Sequence, residues 1–359
     1  MKIRFTGFCA AMLLPLGTVA EIYDLPPDGS DVVGAVSVIK ARADDTLIDI
    51  ARRHGLGYED IVIANPDVDV WLPGEGTEVV LPTRFVLPPG PRNGVVLNLA
   101  EYRMYYFPPV KDGETPVVMT YPMSIGRMDW ETPLGRTRIT AMARNPAWYP
   151  PESIRAEHEA DGNPLPRVVP PGPDNPLGAH AMRLDLPGYL IHGTNRPAGV
   201  GMRVTHGCIR MFPEDIAYLF ELVSVNTPVY LINEPVKMGW DGDELVIEVH
   251  RTLASAPPPD ALIAEVAGEL LAGVLADAEA AAVDSTADSV ATGGGIDDAI
   301  PPLKRAGLTI VTEKFVDVTG ERPAELDWDS AEIELARHRG MPVAVGRAIK
   351  NAATSAAFD

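Results

Sequence analysis

Cysteine is almost absent from this chain: there are two, Cys9 and Cys208. Cys9 sits in a short apolar run, Phe8 to Leu16, which follows Lys2 and Arg4 and precedes Thr18-Val19-Ala20. A positive start, an apolar run and a small-residue stop are the pattern of a cleavable export leader over residues 1–20. The run falls short of the ~20 apolar residues that a membrane-spanning helix needs. Cys9 also lacks the small-residue surroundings of a lipoprotein site. With the leader removed Cys208 stands alone, which excludes an internal disulfide. A single thiol in an exported chain is either buried and inert or put to use.

Positive charge is also scarce. Lys and Arg number 30 against 50 Asp and Glu, a formal net charge of −20. That argues against nucleic acid as a partner, because affinity for it comes mainly from basic side chains on phosphates. It argues equally against docking on an anionic membrane surface, and leaves a mild attraction for amine-bearing partners. Aromatic residues make up only 6%, whereas 35 Pro and 32 Gly favour strands and turns over a helical bundle. A hydrophobic content of 46% over 359 residues is enough for two or three domains.

After a polar leader at 21–35, residues 36–82 read as strand, helix, helix, strand. Val36 to Ile39 opens the unit. Leu47, Ile50 and Ala51 share a helix face that Asp45 or Thr46 can cap. Tyr58 to Val62 starts a second helix, stopped by Asn65-Pro66, and Thr77 to Leu81 returns as a strand. Pro88-Pro89-Gly90-Pro91 reads as a stiff linker, so the unit is expected to be separable. Residues 92–250 alternate strand-like and turn-like segments, among them Val95 to Leu99, Arg103 to Phe107, Val117 to Tyr121, Tyr189 to His192 and Val229 to Ile232. The expected fold class is a mainly β body, sandwich- or barrel-like with one or two helices, beside a small βααβ module and a partly helical C-terminal region. One helix is predicted from Pro213, with Glu214 and Asp215 in its first turn. Residues 145–175 read as a long loop. Residues 257–359 hold an Ala-rich stretch, a 284–299 linker, a strand-like Leu308 to Val311 and a helix-like Ser330 to Arg339, with no visible chemistry.

The chemistry is concentrated in Ile191-His192-Gly193-Thr194 and Val204-Thr205-His206-Gly207-Cys208-Ile209-Arg210. A thiol attacks as thiolate, so a reactive cysteine needs a base within reach. His192 ends a predicted strand, a rigid mount for such a base. Cys208 follows Gly207, which lets the backbone approach a carbonyl, and amides around these two residues can stabilise an oxyanion.

This arrangement resembles the YkuD-type L,D-transpeptidases. Their signature is a histidine, a spacer, then Ser/Thr-His-Gly-Cys, a hydrophobic residue, and Asn or Arg. Here His192 precedes Thr205 by thirteen positions, a short spacing. The segments Ser124-Ile125-Gly126, Thr132-Pro133-Leu134-Gly135, Asn145-Pro146 with Trp148, and Pro176-Leu177-Gly178 extend the likeness to the Gram-negative branch. Residues 36–82 resemble a LysM module, the small domain that binds N-acetylglucosamine polymers, with Asp44-Asp45-Thr46-Leu47 where Gly-Asp-Thr-Leu is usual.

The resemblance implies a periplasmic enzyme with Cys208 as nucleophile and His192 as base. Gly193 lends its carbonyl to orient the His192 ring, and His206 and Gly207 shape the oxyanion site. Arg210 and Thr205 would brace the loop or meet substrate, and Trp148 and Tyr149 would line the donor cleft. The implied donor is a peptidoglycan tetrapeptide stem. The implied acceptor is a diaminopimelate amine of a second stem or a lysine of an outer-membrane lipoprotein. No metal or organic cofactor is implied, and acylation of Cys208 by carbapenems is.

Other readings remain open at this point. His180, His192, His206 and Cys208 are all zinc-ligand types. The same thioester chemistry with water as acceptor would make a carboxypeptidase or endopeptidase, and a non-catalytic peptidoglycan-binding protein is a third possibility.

Overall fold

The strand Gly94–Asn98 is buried along its whole length, because both of its faces are covered. In a computed structural model that describes residues 21–127, 132–253, 302–320 and 322–349, this strand lies near the middle of a nine-stranded sheet. The sheet order is Glu21–Asp24, Val117–Pro122, Arg103–Phe107, Gly94–Asn98, Pro228–Ile232, Gly135–Arg144, His180–Leu184, Leu190–His192 and Ile209–Arg210. Most neighbours are antiparallel. The exceptions are Pro228–Ile232 on Gly94–Asn98, and Ile209–Arg210 on Leu190–His192. The mainly β body expected from the sequence is what forms.

Alternation along the strands assigns the two cores. Val95, Leu97, Met104 and Tyr106 point to one face, where they join Ile191, Ile209 and Met211 beneath the helix Pro213–Leu222, with Ile216 and Leu219 facing in. Val96, Tyr105 and Phe107 point to the other face, where they pack on Leu47, Ile50, Leu56 and Ile61. The residues that complete this second core come from the βααβ unit.

That unit has the expected elements: strands Ser37–Lys40 and Glu78–Leu81, paired antiparallel, and helices Leu47–Arg53 and Tyr58–Ala64. Thr46 caps the first helix. Its hydroxyl accepts from the Asp49 amide at 3.0 Å, while the Thr46 amide donates to Asp49 Oδ2 at 3.2 Å. Asp45 serves the neighbouring turn instead, accepting two bonds from the Arg53 guanidinium at 2.7 and 2.8 Å.

Several expectations need correction. Residues 21–35 are no leader. Glu21–Asp24 pairs with Val117–Pro122 as the edge of the large sheet, and Val32–Gly34 pairs with Arg84–Val86. In Glu21–Asp24 half-buried Glu21 and Tyr23 alternate with exposed Ile22 and Asp24, the pattern of an edge strand. The prolines at 88–91 do not set the βααβ unit apart, because the unit shares a continuous core with the sheet. Residues 145–175 contain the helix Glu152–Ala160. Leu308 to Val311 lies inside the helix Pro302–Thr319, where Val311, Phe315 and Val318 recur at helical spacing against the neighbouring strands. A short apolar run cannot by itself tell a strand from a buried helix segment.

The boundary expected at residue 250 also moves. The hairpin Val236–Asp241 and Glu244–Val249 leaves the large sheet and joins Val343–Ala348 and Ala324–Leu326 in a four-stranded sheet, on which the helices Pro302–Thr319 and Trp328–Arg337 pack. Lys237 anchors this sheet to the rest. It is buried, and its ammonium donates to Val86 O at 2.7 Å, to the Tyr105 hydroxyl at 3.1 Å and to Glu101, with Glu248 at 2.9 Å. The expected leader, the Ala-rich stretch 261–283 and the 284–299 linker lie outside the described residues.

Candidate active site

The register of two short parallel strands builds the site. Ile191 pairs with Ile209 and His192 with Arg210. Because side chains alternate, Ile191 and Ile209 go into the core while His192 and Arg210 rise from the opposite face. Cys208 lies two residues before Arg210, in the segment that leads into this strand.

His192 is buried, at 5% exposure, and its Nδ1 stands 2.6 Å from the Gly193 carbonyl oxygen. A carbonyl can only accept, so Nδ1 carries the hydrogen and Nε2 keeps its lone pair. Burial, and then the Arg210 charge, push the imidazole down to about 3 despite the Gly193 bond. The ring is therefore a neutral base at any physiological pH. Gly193 is tightly seated: a Cβ there would stand 3.3 Å from both Ile216 Cγ2 and Leu177 O.

Cys208 is half-buried and unpaired with any cysteine. Burial pushes its thiol up, while the Leu190 backbone and the Arg210 charge pull the other way. In this conformation the thiol points to Gly188 O at 3.6 Å. Burial thus disfavours the charged form of both the thiol and the imidazole.

The loop carrying the thiol is held from two sides. Thr205 Oγ1 donates to Cys208 O at 2.6 Å, and Thr132 Oγ1 donates to Gly207 O at 2.9 Å. Gly207 has φ +94°, a conformation open to glycine and strained for other residues. The strand Ile125–Gly126 lies parallel to Arg203–Thr205, and the Ser124 and Arg210 backbones exchange bonds of 2.8 and 3.0 Å. Arg210 Nε is buried with no hydrogen-bond partner among the described residues, so this guanidinium has a donor to spare beside the thiol.

The remaining expected residues are distributed differently. His206 Nε2 lies 2.9 Å from Glu157 Oε2. Trp148 is half-buried in an isolated bridge with Val169, and Tyr149 is 69% exposed. The four zinc-type residues do not converge: His180 packs on the Phe220 ring, His192 is held by Gly193 and His206 by Glu157. Among the described residues the metal-type donors that do come together are Glu101, Glu248 and His250, where the Lys237 ammonium already binds both carboxylates.

Sequence reading gave Thr132 no role and missed Glu157 altogether. Thr132 braces from a loop far away in sequence. Glu157 lies on the helix hidden in a proline-rich stretch, and no local pattern ties it to His206.

The family model for the L,D-transpeptidase catalytic domain (YkuD) matches residues 92–231. The Probable L,D-transpeptidase YcfS of Escherichia coli (strain K12) is 40% identical over 258 residues, covering 70% of this chain and 79% of the relative. This chain belongs to the L,D-transpeptidase family. The Probable L,D-transpeptidase YbiS of Escherichia coli (strain K12) is 41% identical over 253 residues, with 69% of this chain and 79% of the relative covered. For the Probable L,D-transpeptidase ErfK/SrfK of Salmonella typhimurium the identity is 41% over 259 residues, with 70% and 82% covered. As an L,D-transpeptidase the chain is an acyltransferase whose substrates are peptidoglycan stems. The matched segment ends just before the hairpin that joins the C-terminal sheet. No helix among the described residues is long and apolar enough to cross a membrane.

Proposed function

We propose that Cys208 is the acyl-carrying nucleophile of this L,D-transpeptidase and His192 its general base. What supports the proposal is the pairing of His192 with Arg210, two residues after Cys208, with Nδ1 engaged by Gly193 and Nε2 left as the acceptor. Nε2 takes the thiol proton as sulfur attacks the carbonyl between diaminopimelate and the terminal D-Ala of a tetrapeptide stem. The developing oxyanion is met by the Gly207 and Cys208 amides, with His206 beside them. The C–N bond breaks, His192 returns the proton to the departing amine, and D-Ala leaves a thioester on Cys208. An acceptor amine then attacks the thioester, His192 takes its proton, and the thiol is restored. The acceptor is a second diaminopimelate side chain or the lysine of an outer-membrane lipoprotein. The Arg210 guanidinium is proposed to meet a substrate carboxylate, and Thr205 holds the loop in shape. Trp148 and Tyr149 are proposed to line the approach to the thiol.

The βααβ unit at 36–82 is proposed as a LysM-type grip on glycan strands, supported by its capped first helix and strand pairing. An export leader at 1–20 and a periplasmic location complete the proposal.

The test is intact-protein mass spectrometry after exposure to a carbapenem, run beside muropeptide analysis with and without a lipoprotein C-terminal peptide. The expected result is one adduct, on Cys208, and loss of both adduct and D-Ala release in Cys208→Ala. An active Cys208→Ala protein would end the assignment.

A further inference from the structure

We propose that Glu157 is a positioning residue for this reaction, its carboxylate shared between Arg127 and His206 so that the His206 ring is fixed beside the Cys208 loop. The inference rests on the assignment of Cys208 and His206 above.

Glu157 projects from the helix Glu152–Ala160, 49 residues before His206 in sequence. Its two oxygens have separate partners: Oε1 accepts from Arg127 Nη2 at 2.6 Å, and Oε2 lies 2.9 Å from His206 Nε2. The Arg127 bond, with a smaller contribution from His206, holds the carboxyl below its usual range, so it is an anion. An ionised carboxylate accepts and never donates. His206 Nε2 must therefore carry the hydrogen, and Nδ1 is turned to the other side of the ring. Without this bond the ring can flip and move each nitrogen to where a ring carbon stood, because an sp³–sp² torsion has two broad wells.

The anchor is itself part of the loop it steadies. The Arg127 amide donates to Thr205 O at 2.9 Å, and Thr205 Oγ1 donates to Cys208 O at 2.6 Å. The circuit from Arg127 through Glu157, His206 and Thr205 back to Arg127 is closed, and His206 is two positions before the thiol. A tilt of the ring is passed to the Gly207 and Cys208 amides that the mechanism aims at the oxyanion. Glu157 touches no reacting atom in this arrangement. It acts through His206.

The experiment is a double-mutant cycle on the full chain: wild type, Glu157→Ala, His206→Ala and both together. Two rates are measured, acylation of Cys208 by imipenem and D-Ala release from tetrapeptide, the latter as kcat and KM separately. Glu157→Ala is expected to slow acylation and kcat by about tenfold with KM little changed, the scale of losing a partner that orients a site's histidine. Glu157→Gln, which keeps one acceptor oxygen, should fall in between. In the His206→Ala background the Glu157 substitution should cause no further loss. Melting temperatures should stay within about 3 °C, because a half-exposed pair of this kind adds little stability. Equal losses in both backgrounds, or wild-type rates in Glu157→Ala, would overturn the inference and leave the nucleophile assignment standing. A wild-type protein that turns over with no adduct on Cys208 would overturn both.

Discussion

At the scale of single residues, the proposed roles of His192 and Cys208 set an expectation for the pH dependence. A free imidazole loses its charge near pH 6.5. Here desolvation and Arg210 take His192 down to about 3, so the proposed base stays neutral in mildly acidic solution. D-Ala release measured from pH 4 to 8 should therefore show no acid limb centred near 6.5. Such a limb, if lost on substituting His192 alone, would mean that the ring is far better solvated than its 5% exposure implies. Asp215 makes a second residue-level case. It sits in the first turn of the helix Pro213–Leu222, buried, with Oδ2 unpaired among the described residues. Burial and Glu214 push it up to about 8. Its unfolded value is near 3.9, so between about pH 4 and 8 the native state holds a proton that the unfolded chain has lost, and stability falls as pH rises across that window. Asp215→Asn should raise the melting temperature more at pH 8 than at pH 5. An equal shift at both would show that the carboxyl is not buried as a neutral acid.

At the scale of elements, the βααβ unit is the instructive case. Its internal plan was readable because caps and helix stops are local signals: Thr46 with Asp49, and Asn65 before Pro66. Its attachment was not readable. Val96, Tyr105, Phe107 and Val118 look like ordinary strand residues, and nothing in their spacing says that Leu47 and Ile61 will cover them. Fully burying side chains of this kind is worth roughly 1.5–3 kcal/mol each, so stripping the cover should cost more than the domain's margin of about 5–15 kcal/mol allows. Deleting residues 36–82 should give an insoluble or unfolded protein, detected as loss of a cooperative melt. A soluble, fully active truncation would show that the shared core is dispensable. The helices at 152–160 and 302–319 were missed for opposite reasons, the first hidden among prolines, the second posing as a strand.

The same division holds for the site. His192, Gly193, Thr205, Gly207, Cys208 and Arg210 lie in two short stretches that sequence alone could read. Thr132, Arg127 and Glu157 come from segments that only the folded sheet brings near.

At the scale of the whole molecule, the described units interlock through one buried charge cluster and one part-exposed ion pair. Lys237 belongs to the C-terminal sheet, yet it bonds Val86, Tyr105 and Glu101 of the first half, and Arg52 of the βααβ unit grips Glu214 at 2.7 and 2.8 Å. Removing one partner from a buried ion pair costs about 3–5 kcal/mol, because the other charge is left stranded. Lys237→Ala should lower stability on that scale, and calorimetry of the wild type should record one transition for the described units. Two well-separated transitions would show that the C-terminal sheet folds apart from the body.

Gly57 and Gly201 press together so closely that a Cβ on Gly57 would lie 2.7 Å from Gly201 Cα, and the Tyr58 amide donates to Val200 O at 3.0 Å. This seat lies in the same loop that leads into Arg203–Thr205 and on to the thiol. With the glycan held as proposed, the molecule works as a caliper of fixed opening. The stem peptide within reach of the sulfur is then chosen by its distance along the sugar chain from the point of grip, and a bulkier residue at either glycine would change the gauge.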